Sequence, residues 1–177
     1  MAKSRVACNS FNIGTNATIT ITKDKSSYTH TITYKFGSAT GTIATKTTQT
    51  SIVWSPTAST LYAQIPNAVS GYGTITCETF DGSTSLGTTT AGFYAYAVKE
   101  NCLPTVTVAV EDTNATTIAL TGDKTKLICY MSKPKVTLTA TAKNSSTIKS
   151  RQIYNPVGLT ATTSPYTFDT VYSDEFR

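Results

Sequence analysis

Side chains able to do acid–base or nucleophilic work are few in this sequence and far apart. The chain has one histidine, ten carboxylates and four cysteines. His30 sits in an alternating run beside tyrosines, which fits packing on a strand better than proton transfer. Cys8, Cys77, Cys102 and Cys129 include no pair at zinc-ligand spacing, and one histidine cannot complete a Cys/His cluster. Trp54 does not follow the first cysteine closely, as it would in an antibody-type bridged domain. The thiols are therefore expected to be reduced and mostly buried. A Cys77–His30 nucleophile pair would need the fold to bring the two within hydrogen-bond reach. The neighbouring acids Glu111-Asp112 and Asp174-Glu175 would point to opposite faces of a strand. Glu111-Asp112 with Asn114 could hold a hard cation, but Asp112-Thr113-Asn114 has ordinary turn chemistry. No glycine-rich phosphate loop precedes a helix. These residues point to no enzyme, no metal and no cofactor.

Binding chemistry is better supplied. Trp54, Tyr62, Tyr72, Tyr94 and Tyr96 are candidates for a surface that stacks on sugar rings among hydroxyls; the alternative is that each spans core and rim. The stretch from Lys124 to Arg151 has no acid. Within it Lys133, Lys135, Lys143, Lys149 and Arg151 are candidate contacts for a polyanion, against the plainer reading of solvated edge lysines that discourage aggregation. The net charge of +5 and pI of about 9.0 come from thinly spread residues, so nucleic acid is not an expected partner.

The elements that must position these residues are strands. Among 177 residues, 38 are threonine and 17 serine, and threonine is β-branched, poor in helices and suited to a pleated face. Ala17, Ile19 and Ile21 alternate with threonines, as do Tyr28, His30, Ile32, Tyr34 and Phe36. Lys23 to Ser27 reads as a hairpin turn between them. Further strands are expected at 41–44, 51–54, 74–80, 85–89 and 92–98, with Asp81-Gly82 as a hairpin signal. About seven strands in roughly 90 residues is the size of an immunoglobulin-like sandwich; a small closed barrel is the alternative. The expected architecture is all-β: an N-terminal arm (1–11), an Ig-like β-sandwich (12–98), a linker (99–103) and a second, smaller or incomplete β-sandwich unit (104–177). In that second unit 147–154 and 165–172 are the weaker strand candidates.

No apolar run follows Met1 to Arg5, so no secretory leader is expected, and no stretch approaches the roughly 18 apolar residues of a membrane span. The segments Asn12-Ile13-Gly14 to Ile21, Tyr28 to Ala44, Gln64 to Ala68, Gly73 to Thr79 and Gly82 to Gly87 resemble, in order and spacing, the threonine-rich minor structural proteins of tailed phages. This siphovirus family is also found in prophages. The likeness continues more loosely through Pro104 to Val110, Thr117 to Gly122 and Lys143 to Ser145. It implies a virion component with Ig-like modules, associated with the tail or decorating the particle, oligomeric there and contacting other virion structural proteins. It carries over no enzymatic residues. The alternative function is a host-surface adhesion module that binds cell-wall carbohydrate. Family members run longer than this chain, which implies a truncated second module.

Overall fold

The computed structural model describes residues 2–111, 115–119, 125–129, 135–155 and 158–167. The chain divides into two compact units, Met1–Cys102 and Leu103–Arg177. The first contains β1 (Arg5–Cys8), β2 (Phe11–Asn12), β3 (Ala17–Thr22), β4 (Thr29–Phe36), β5 (Ala39–Thr47), β6 (Ser51–Trp54), α1 (Ala58–Gln64), β7 (Ser70–Asp81), β8 (Thr84–Tyr96) and α2 (Lys99–Cys102).

Its strands form two sheets, ordered β1-β3-β6 and β2-β8-β7-β4-β5. The N-terminal stretch serves both, with β1 antiparallel to β3 and β2 parallel to β8. The expected N-terminal arm thus carries sandwich strands, and Phe11 takes it into the core, where it packs on Trp54 and Phe93. The chain changes sheet between β3 and β4, between β5 and β6, and through α1 between β6 and β7. This order is that of an immunoglobulin-like sandwich, and two separate sheets dispose of the closed barrel.

Two local expectations change. Lys23 to Ser27 is a crossover, not a hairpin turn, because β3 and β4 lie in different sheets. Each strand buries its own apolar stripe, so the two meet across the core rather than side by side. Lys23 holds the crossover by donating to the carbonyl oxygens of Tyr28 and Thr48. The strands expected at 85–89 and 92–98 are one strand, β8, since Gly92 stays in register opposite Thr74. The Asp81-Gly82 turn is present, with Gly82 at φ +62°. That is the positive value a type II′ hairpin requires at its first central residue.

Strand alternation becomes burial directly. Ala17, Ile19 and Ile21 face inward while Thr18, Thr20 and Thr22 face out. The core joins these to Ile32, Phe36, Ile52, Trp54, Ile75, Cys77 and Phe93. Trp54 ties the sheets together. From β6 its ring meets Phe93 edge-on at 5.4 Å, Phe11 edge-on at 5.7 Å and Tyr34 at 4.8 Å. Ring pairs at these spacings add to the burial of the rings themselves. No disulfide joins Cys8, Cys77 or Cys102.

Three polar side chains in this unit are fully buried: Ser4, His30 and Thr79. His30 Nε2 lies 2.8 Å from Ser4 Oγ, the Ser4 N–H donates to Thr79 Oγ1, and Thr89 Oγ1 donates to the Ser4 carbonyl. These bonds anchor the residues before β1. Burial first, and the Lys23 charge second, push the His30 pKa below its ordinary value of 6.5, against a backbone contact with Thr47 that acts the other way.

In the second unit β9 (Thr105–Glu111) pairs with β12 (Lys135–Thr141), and β12 with β15 (Tyr166–Thr167). Two antiparallel pairs complete the described part: β10 (Ala115–Ala119) with β11 (Thr125–Cys129), and β13 (Ile153–Asn155) with β14 (Gly158–Ala161). Of the weaker strand candidates, 147–154 contributes strand only from Ile153. Within 165–172, β15 covers Tyr166–Thr167, and residues 168–172 lie outside the described residues.

Two outcomes follow. Trp54→Ala should cost about 3–5 kcal/mol, read as a lower urea midpoint of the first unit by circular dichroism. A loss below 1 kcal/mol would show that the sheets are held by other contacts. For His30, the folded state prefers the neutral ring and the unfolded chain binds the proton more readily. Its contribution is therefore complete above pH 6.5 and declines as pH falls from there toward the folded pKa. Stability should drop as pH falls below 6.5, and His30→Gln should flatten that slope; equal slopes in both proteins would contradict the assignment.

Candidate binding face

The outward face of the five-stranded sheet is paved with hydroxyls. Register places Thr42, Thr33, Thr76 and Thr90 in one row across β5, β4, β7 and β8, and Thr40, Lys35, Thr74 and Gly92 in the next. Beyond these, Tyr72 pairs with Tyr94, and Tyr96 lies between Ser70 on β7 and Asn12 on β2. The three tyrosines are 60%, 47% and 44% exposed, so this end of the sheet presents aromatic rings to solvent. Tyr72 meets Tyr94 edge-on at 5.3 Å, and Tyr94 stacks on Tyr96 at 6.2 Å.

Gly92 explains why Tyr72 lies where it does. A Cβ at position 92 would come within 2.1–2.8 Å of the Tyr72 Oη, Cζ and Cε2 atoms. The ring thus rests across bare backbone, and its other face is turned away from the sheet. The strand below is set by Ser10, whose Oγ accepts the Tyr94 N–H at 3.0 Å. Tyr72, Tyr94 and Tyr96 therefore come together as a group. Gly92 and Tyr72 are far apart along the chain and are brought together only by the β7–β8 register.

Trp54 and Tyr62, expected on the same surface, are not there. Trp54 is 7% exposed, because pairing with Ala17 on β3 turns it into the sandwich. Tyr62 is buried on α1, and its hydroxyl accepts the Val98 N–H at 3.3 Å. Both are core residues and are withdrawn as contact candidates.

The basic candidates of the second unit separate in a similar way. Lys135 on β12 lies opposite Glu111 on β9 and donates to both of its carboxylate oxygens at 3.0 and 3.1 Å. That charge is already paired. Lys143 is exposed at a turn where its carbonyl accepts from Ser146. Lys149 and Arg151 line one cavity together with Ser150, Thr162, Thr163 and Ser164. Lys133 lies outside the described residues.

The Cys77–His30 nucleophile pair gains no support from the geometry. Register puts Cys77 opposite Ile32 and His30 opposite Thr79, so the two are offset by one residue pair on the inner face. Burial pushes the Cys77 thiol up to about 11, with hydroxyl contacts from Thr79 and Thr89 opposing it. The reactive thiolate is therefore scarce at neutral pH. Among the described residues, no three His, Cys, Asp or Glu side chains gather as a metal site. Asp112 and Asn114, part of the considered cation set, lie outside the described residues. No helix among the described residues is long and apolar enough to cross a membrane.

Comparison with known proteins gives one family and one distant structural likeness. No curated protein matches the chain. A chain of the crystal structure of murine CEACAM1b is similar at 13% identity and a TM-score of 0.27, covering 98% of this chain and 83% of that one. A family model described as a siphovirus protein of unknown function matches residues 2–161. Since that span takes in all but the first residue of the first unit and most of the second, the chain belongs to this siphovirus protein family, DUF859.

Proposed function

We propose that the chain is a structural component of the phage particle, tail-associated or decorating, which docks onto neighbouring virion subunits through the outer face of its five-stranded sheet. One observation carries this reading: three exposed tyrosines grouped at one end of a hydroxyl-covered, charge-poor sheet face. Tyrosine is enriched among the residues that dominate protein interfaces, because a ring buries much area while ordering few torsions. A face with few charges also packs without strong dependence on salt.

The free edge of the sheet is less suited to docking. β5 is bulged against β4, and Lys46 takes φ +48° and sets its ammonium over the Phe80 ring. A bulge and a lysine together discourage strand addition. Contacts are therefore assigned to the face. A specific contact of about 800 Å² per partner would suffice, and several copies per particle fit this mode of assembly.

A second reading, adhesion to host cell-wall carbohydrate, is favoured by the Tyr72 ring. It lies on Gly92, is 60% exposed and shares the outward face with Thr74, an arrangement that suits a sugar ring stacked among hydroxyls.

The two readings separate in one set of variants. Docking predicts that the protein is found in purified particles by mass spectrometry. Tyr72→Ala with Tyr94→Ala should cut incorporation by about 30-fold or more, the effect of losing about 2 kcal/mol or more of interface energy. Gly92→Ala should act in the same direction by lifting the Tyr72 ring. Absence from particles would refute docking. Retention on purified cell walls at low salt, lost in the same variants, would establish the carbohydrate reading; no retention would end it.

A further inference from the structure

We infer that the second unit carries an anion site for phosphate esters, built around Lys149 and Arg151. The two side chains line a cavity of about 380 Å³ with the hydroxyl residues Ser150, Thr162, Thr163 and Ser164. Among the described residues, no carboxylate lines it and no ion pair occupies either cation. Lys135, by contrast, is spent on Glu111.

One wall is fixed in place. Ser164 Oγ accepts the Leu138 N–H at 2.7 Å and donates to the Leu138 carbonyl at 3.1 Å. Those bonds fasten the segment bearing Thr162 and Thr163 to β12, so this wall of the cavity is carried on a held backbone, with the Ser164 hydroxyl itself engaged by Leu138.

The donor set selects the ligand. A guanidinium presents a planar fork that matches two oxygens of a phosphate, and an ammonium adds a point charge. Hydroxyls from a second segment supply donors from another direction, which suits a tetrahedral anion better than a flat carboxylate. The volume leaves room for more than the phosphate group, since pockets of roughly 300–1,000 Å³ take ligands of drug size. A phosphodiester-linked polyol polymer and free phosphate share this chemistry.

Calorimetric titration of the full chain with inorganic phosphate and with poly(glycerol phosphate) distinguishes the two sources. Saturable binding is expected at low salt. Lys149→Gln with Arg151→Gln should weaken it at least tenfold, while Lys143→Gln, which removes a charge elsewhere in the unit, should change it less than twofold. Both cavity cations are exposed, so the double variant should fold, and an unchanged circular dichroism spectrum checks this. Tenfold tighter binding of the polymer would name it as the source, and equal affinity would name free phosphate. The site is refuted if neither probe binds saturably, if the double variant binds like the parent, or if Lys143→Gln costs as much as the double change.

Discussion

Trp54 is the contact on which the first unit's arrangement rests. It projects from the three-stranded sheet and is met by Phe11, Tyr34 and Phe93 from three strands of the other. With no disulfide among Cys8, Cys77 and Cys102 to hold the sheets, ring packing takes that role. The consequences reach outward through β8. Phe93 points in against Trp54, so Tyr94, its neighbour, must point out; Ala95 points in and Tyr96 out. The aromatic face is thus the reverse side of the aromatic core.

Hydroxyls dominate the outward chemistry of the first unit's strands. The chain places threonine at outward positions along successive strands, and these rows leave little space for carboxylates or histidine. Its one histidine is used inside, holding the residues before β1 through Ser4. What remains on the outer face of the five-stranded sheet is a surface rich in hydroxyls and sparse in charge, with rings at one end. In the second unit the exposed chemistry is different: two cations among hydroxyls around a cavity. Each unit offers a separate kind of contact.

Much of this was legible from the two-residue period. The inward sets Ala17-Ile19-Ile21 and His30-Ile32-Phe36 follow from alternation alone, as does the all-β class. What could not be read was whatever depends on pairing between distant strands. Ser51 to Trp54 alternates equally well with either face buried, and only its register against β3 puts Trp54 inside. Turn composition at Lys23 to Ser27 does not say whether the next strand pairs alongside or crosses to the opposite sheet. Lys135 looks like any other free lysine until β12 is laid against β9 and Glu111 meets it. The Tyr72–Gly92 contact is hidden for the same reason.

The claim that the tyrosine face is buried against a neighbour in the particle is open to direct measurement. Hydroxyl-radical footprinting of Tyr72, Tyr94 and Tyr96 can be compared between the purified protein and intact particles. The account predicts strong oxidation of all three in the free protein and clear protection of them in the particle, with Tyr62 and Trp54 weakly oxidised in both. Equal oxidation of the three tyrosines in the two states would contradict it.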